Sequence, residues 1–277
     1  MPMVVIADER TQNFDTPGFR MASLSETAIG GLGLAPHPDA GWMCGDYALY
    51  LAAEVCPEAS HFWLIDSDVR INFEAPADFF ATYDSLEADY VAIRHQLASS
   101  SWFWRARMAA LASPVYQGLF GVLRISRRAV LHLHRMRKRL RSLPDAACPN
   151  DEAFVATVLA NSGFSCRRFS DRADLFPART YGFRRIESGR ALEGQPADNL
   201  VHHAVLFGED YVAKALRLCA LGEQSASLDE MTAAATLEVG NQRAEKFTRF
   251  AAPLIAATRR TATRTGSSID AVEAGAR

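Results

Sequence analysis

Residues 61 to 72 read His-Phe-Trp-Leu-Ile-Asp-Ser-Asp-Val-Arg-Ile-Asn, and no other stretch restricts the fold as strongly. The run His61–Ile65 is the pattern of a strand covered on both faces, as in a parallel sheet flanked by helices. Asp66 and Asp68 close it. Side chains two apart on a strand share a face, roughly 6.6 Å apart along it. Two carboxylates so placed can act together on one hard divalent cation, because Mg²⁺ and Mn²⁺ take one or two carboxylates plus substrate phosphates. A solvated acidic turn after a strand is the plain alternative.

The rest of the chain alternates strands with helices. Met3 to Ala7 reads as a short buried strand, and residues 11 to 38, rich in Gly, Pro, Ser and Thr, as a long loop. Trp42 to Val55 has the three- and four-residue apolar spacing of a helix, stopped by Pro57. Pro76 opens a helix through Leu86, and Asp89 to Ile93 is the next strand. Gln117 to Ile125 reads as one strand with two glycines, and Ser126 as the cap of a helix to Leu143. Asn150 caps a helix to Ala160, Phe164 to Phe169 is a strand, and Leu200 to Phe207 is another. Ser227 to Glu230 is a capping box opening an Ala-rich helical region. Such alternation predicts an α/β sandwich with a mostly parallel sheet, whose ligands bind beyond the carboxyl ends of the strands.

Composition narrows the chemistry. With 30 basic and 32 acidic residues the chain is close to neutral, which argues against bulk nucleic-acid binding. No stretch of 18 apolar residues occurs, and the first residues lack the basic region and cleavage site of a signal peptide. The five cysteines form no CxxC pair, so neither a zinc site nor a disulfide framework is expected, and the location expected is cytoplasmic. The segment 124–141 carries eight Lys/Arg, which reads either as a solvated face or as a peripheral contact with an anionic membrane, at its inner face.

A hydrophobic strand ending in Asp-x-Asp resembles the metal and nucleotide-sugar site of GT-A-fold glycosyltransferases, family 2-like. Three more segments fit that template in order: Trp42-Met-Cys-Gly45-Asp46-Tyr47, Tyr116-Gln-Gly118-Leu-Phe-Gly121, and Pro149-Asn-Asp151-Glu152-Ala-Phe154. The Asp-Glu wording is similar to core-2-type branching N-acetylglucosaminyltransferases, which use no DxD metal site. A fourth element is His202-His203. The resemblance spans residues 1 to 221 and implies a GT-A-like, Rossmann-like α/β/α sandwich with its first βα unit missing. A helical extension over 222–262 and a disordered tail over 263–277 would follow. It further implies Asp66, Asp68 and either His202 or His203 on Mn²⁺ or Mg²⁺. Asp8, Gly45, Asp46 and Ser67 would face the nucleotide. The donor would be a nucleoside-diphosphate sugar, UDP-linked, and the acceptor a hydroxyl of a glycan or lipid-linked molecule. If the transfer inverts the anomeric centre, Glu152, or else Asp151, would be the base; a retaining transfer needs no base of that kind. Gly118 and Gly121 would underlie the sugars, and Trp102, Trp104 and Arg105 the acceptor, since aromatic faces stack on sugars and Arg grips phosphate.

Adjacent strand residues face opposite ways, so at most one of His202 and His203 can reach the metal. The acids at 151 and 152 also have a structural reading, as first-turn charges favoured by the helix dipole. A haloacid-dehalogenase-type phosphatase also places Asp-x-Asp after an apolar strand, but needs a lysine to steady the aspartyl-phosphate. Only Lys138, Lys214 and Lys246 are present, and none stands in an evident position for it. A non-catalytic binding module of the same fold is the third possibility.

Overall fold

The computed structural model describes residues 3–182 and 184–265. The chain divides into two compact units. One is formed by the residues up to Asp66 with Ala81–Asp174, the other by Ser67–Phe80 with the residues from Leu175 on. The protein is mixed α/β, with short strands in one four-stranded sheet and four two-stranded ones among the described residues.

In the first unit the four-stranded sheet runs in the order His61–Ile65, Val122–Ser126, Tyr90–Ala92, Cys166–Arg168. Val122–Ser126 is buried at every residue and antiparallel to both neighbours. Tyr90–Ala92 and Cys166–Arg168 are parallel. The sheet is therefore mixed rather than mostly parallel, because the most buried strand runs against the others. His61–Ile65 lies at the sheet's edge, and His61 and Ile65 are exposed while Phe62 is buried. A strand covered on both faces was the expectation; an edge position explains the difference.

Local chemistry sets the helix starts. Ser126 Oγ accepts from Ala129 N–H at 3.3 Å and begins Arg127–Arg139. Asn150 Oδ1 accepts from Glu152 N–H at 3.0 Å and begins Asp151–Asn161. The latter helix is buried along most of its length, and Ala153, Phe154, Val155 and Leu159 join the main core with Tyr50, Leu123, Ile125 and Leu133.

Other boundaries differ from expectation. The stretch 11–38 holds a strand, Arg20–Ser23, parallel to Val4–Ala7, and a helix, Glu26–Gly31, capped by Ser25. The helix expected from Trp42 is two, Ala40–Met43 and Asp46–Val55, parted at Cys44-Gly45. The strand expected over Gln117–Ile125 is also two, Tyr116–Gly118 and Val122–Ser126. Gly121 between them has φ +103°, which side-chain-bearing residues rarely adopt.

The second unit pairs Arg70–Asn72 antiparallel with Leu200–His202, and Glu187–Ser188 parallel with Val205–Leu206. Leu200–Phe207 is thus not one strand. Its helices Gly208–Leu221, Leu228–Val239 and Asn241–Thr265 share one core, including Tyr211, Cys219, Met231, Phe247 and Ile255. Buried Glu238 accepts from Gly208 N–H at 2.7 Å and Arg190 N–H at 3.0 Å, satisfying two helix starts at once. Because that core joins residues on either side of 222, the expected boundary there does not separate two bodies. The last helix continues to Thr265, and the remainder of the tail, 266–277, lies outside the described residues.

Candidate functional site

In the first unit four of the segments singled out by sequence come together. Asp66 follows the edge strand, is exposed, and donates its N–H to Gly121 O at 2.8 Å. One residue back, Phe120 N–H donates to Glu152 Oε1 at 3.3 Å. Gly45 N–H donates to Asp151 Oδ2 at 2.8 Å. The turn 118–121 therefore lies against both the strand end and the start of the helix Asp151–Asn161.

Asp151 and Glu152 have different roles. Asp151 is buried, and its other oxygen accepts from Glu152 N–H at 2.7 Å. Burial pushes its pKa well up, the charges of Asp46 and Glu152 add to this, and Gly45 N–H opposes it. It fixes the turn before the helix to the helix start. Glu152 is partly buried, and its pKa is pushed up to about 7. Burial is the main cause; the Phe120 N–H and Arg94 pull it down, and Asp66 pushes it up. A carboxyl that changes charge near neutrality is suited to proton transfer.

Gly118 is needed for packing. A Cβ there would lie 2.7 Å from Glu152 O, 3.2 Å from Tyr90 Oη and 3.3 Å from Ala156 Cβ. We expect Gly118→Ala to cost about 1–3 kcal/mol through overpacking, read as a lowered urea midpoint with an unchanged slope. Gly118 thus lies under the helix that carries Glu152.

Two buried polar atoms close by have no hydrogen-bond partner among the described residues: Tyr90 Oη and His95 Nδ1. His95 pairs in register with Gly118 and stacks on Tyr116, ring centres 5.2 Å apart. Burial lowers its pKa, with Arg168 adding to that. Arg94, His95 and Tyr90 went unnoticed in sequence. The signal was present: Ile93-Arg94-His95 follows a strand, at the sheet edge where ligands bind.

Asp46 does not face a nucleotide. It is fully buried in a two-pronged ion pair, Arg137 Nε to Oδ2 at 2.8 Å and Nη2 to Oδ1 at 2.9 Å. The Tyr50 hydroxyl also donates to it. Asp8 is held by Arg10 through two bonds of 2.8 and 2.7 Å, and Arg10 also donates to His37 O at 2.6 Å. The bond to Arg10 holds the Asp8 pKa down. Ser67 is exposed.

The aromatic segment is partly open. Trp102 and Trp104 pack against the core, whereas Phe103 is 77% and Trp42 60% exposed. Trp42 and Trp104 ring centres are 6.4 Å apart, and Arg107, not Arg105, lies over Trp104 at 5.9 Å. Arg105 is exposed. Asn150 Nδ2 donates to Trp42 O at 3.1 Å, linking this platform to the cap of the Glu152 helix.

The basic run 124–141 is only in part a solvated face. Arg124 donates to Leu86 O, Arg127 to Ala53 O and Cys56 O, Arg128 to Asp89, and Arg137 to Asp46. Arg135, Lys138, Arg139 and Arg141 are exposed. No helix among the described residues is long and apolar enough to cross a membrane.

In the second unit, His202 is clamped between carboxylates: Nδ1 is 2.7 Å from Glu187 Oε2, and Nε2 is 3.0 Å from Asp198 Oδ2. Burial disfavours its charged form, but the bonds to Glu187 and Asp198 outweigh that, and its pKa is raised. With both nitrogens engaged, His202 is not available as a metal ligand. His203 Nε2 is 3.5 Å from Asp68 Oδ1, its ring stacks on Tyr181, and burial lowers its pKa. Lys214 Nζ is 3.9 Å from Asp68 Oδ2, so a lysine does reach the motif. Among the described residues no group of three or more His, Cys, Asp or Glu is gathered as a metal cage. Asp66, in the first unit, and Asp68, in the second, each offer the oxygen donors that Mg²⁺ or Mn²⁺ takes, and such an ion draws its remaining ligands from substrate phosphates and water.

No family model matches the chain, and no curated protein matches it.

Proposed function

We propose that the protein is a GT-A-like glycosyltransferase that moves a sugar from a nucleoside diphosphate, UDP-linked, to a hydroxyl of a glycan or lipid-linked acceptor. The observation that carries this reading is Glu152, a partly buried carboxyl titrating near 7, joined to Asp66 through the turn 118–121. Asp66 and Asp68 would hold the divalent ion, with His203 the better placed of the two histidines. When bound, such an ion neutralises charge on the leaving diphosphate. Glu152 takes the proton of the acceptor hydroxyl as its oxygen attacks the anomeric carbon and the bond to the diphosphate breaks. Phe120 N–H holds one carboxyl oxygen in place for this. The exposed Trp42 and Phe103, with Trp104 and Arg107, offer the acceptor a stacking surface.

The test is release of UDP or GDP from a panel of nucleotide sugars in the presence of Mn²⁺. Because Glu152 must be ionised to act, the turnover rate should rise with pH through about 7 and flatten above it. A rate independent of pH across that range would remove Glu152 from the reaction.

Lys214 beside Asp68 gives the phosphatase reading one specific support. The lysine pairs with the second aspartate, however, whereas that chemistry needs it at the first, the nucleophile. Hydrolysis of p-nitrophenyl phosphate abolished by Asp66→Asn, with no turnover of nucleotide sugars, would favour the phosphatase.

A further inference from the structure

Cys44 and Cys148 are 104 residues apart in sequence, yet their sulfurs are 4.0 Å apart within the first unit. Cys44 is buried and Cys148 half-buried. Arg137 Nη1 points at Cys148 Sγ from 3.6 Å, and the same guanidinium holds Asp46. A cavity of about 20 Å³, lined by residues including His37, Tyr47, Leu143 and Cys148, lies beside this sulfur. That is room for about one water-sized molecule. A thiolate next to a cation, with a second thiol in reach, is the arrangement of redox-active cysteines rather than inert core ones.

We propose that Cys148 and Cys44 are a peroxide-reactive pair, in which Cys148 is oxidised first and Cys44 resolves it to a reversible disulfide. The Cys148 thiolate attacks one oxygen of hydrogen peroxide. The O–O bond breaks, hydroxide leaves, and Cys148 becomes a sulfenic acid. The Cys44 sulfur then attacks that sulfur; the S–S bond forms, the S–O bond breaks, and the departing hydroxide takes up the Cys44 proton as water. Two thiols are oxidised and one peroxide is reduced to two waters. Closing the gap from 4.0 Å to the roughly 2.05 Å of a disulfide requires side-chain rotation and a small backbone shift.

The contrast among the thiols supports the order of events. The S–H of Cys44 and the charge of Arg137 outweigh burial at Cys148 and hold its pKa down to about 7. Burial raises Cys166 to about 11 and also raises Cys219. The bond would link the turn before Gly45-Asp46 to the turn before Asn150–Glu152, so oxidation acts where the candidate base is positioned.

The experiment is mass spectrometry of the full chain after dilute hydrogen peroxide. The expected result is loss of two hydrogens, a linked peptide pair containing Cys44 and Cys148, and full reversal by dithiothreitol. Cys44→Ser should instead trap a sulfenic acid at Cys148 that a dimedone probe labels, and Cys148→Ser should abolish the disulfide. Alkylation of Cys148 in unoxidised protein should be about tenfold faster than that of an ordinary thiol at neutral pH. No Cys44–Cys148 link, or oxidation at Cys56, Cys166 or Cys219 ahead of Cys148, overturns the proposal. None of these readouts depends on glycosyl transfer.

Discussion

Glu152→Gln is expected to lower kcat for sugar transfer by about 10²–10⁴-fold, the range for removing a general base, while the apparent affinity for the nucleotide sugar changes little. The amide keeps the acceptor oxygen for Phe120 N–H, so the local structure has no reason to move. The same substitution should not destabilise the protein. A glutamate whose folded pKa lies near 7 instead of 4.5 costs stability once pH is above the unfolded value. In the wild type, stability therefore falls as pH rises from about 4.5 through about 7, because the folded chain holds a proton that the unfolded chain has lost. Glu152→Gln lacks this penalty, which at neutral pH is at most about 3 kcal/mol by the conversion of 1.36 per unit. Melting scans across pH should show the variant equal to or above wild type at neutral pH, with the difference vanishing in acid. A large loss of activity with no loss of stability separates a group used in chemistry from one used in packing.

Arg137→Ala should do the reverse. Asp46 would keep the Tyr50 hydroxyl but lose both guanidinium bonds while remaining fully buried. Removing one partner of a buried pair costs about 3–5 kcal/mol, because the other charge is left without compensation. The aromatic contacts are lost as well: Arg137 lies 4.0 Å from the centre of the Phe154 ring. At roughly 2–4 °C per kcal/mol for a chain of this size, the melting temperature should fall by about 10 °C. The double variant Asp46→Leu with Arg137→Met should recover most of this, since apolar residues of similar volume can replace a buried pair. If Arg137→Ala melted like wild type, the ion pair would not be what holds the helix Arg127–Arg139 to the helix Asp46–Val55.

What could be read in the sequence was what local chemistry decides. Ser126, Asn150 and the Ser227–Glu230 box each cap the helix expected of them, because a capping side chain bonds a backbone N–H two or three residues away. His202 and His203, expected as neighbours on one strand, meet different partners, Glu187 and Asp198 against Asp68, but His203 lies past the end of the strand Leu200–His202. The misreadings came from long-range contacts. An apolar run looks the same whether it lies in the middle of a sheet or at its edge, so His61–Ile65 was placed in the wrong position. Nothing near Asp46 in sequence announces Arg137, 91 residues away, and so a structural aspartate was read as a nucleotide contact. The short strand Arg20–Ser23 has no apolar periodicity and is specified by its pairing with Val4–Ala7. In the candidate site, Glu152 and Asp66 were visible as chemistry-bearing residues. The turn that joins them, with Tyr90, Arg94 and His95 around it, came from the fold.

Calorimetric titration of UDP, with and without Mn²⁺, on wild type and on Asp68→Ala decides whether the acidic motif holds a nucleotide through a metal ion. Asp68 is only partly buried, so the substitution leaves the core intact. UDP should bind to wild type when Mn²⁺ is present and more weakly without it, and Asp68→Ala should abolish the metal-dependent part. Binding that is unaffected by both the metal and the substitution, or no binding of UDP or GDP under any of these conditions, would contradict this.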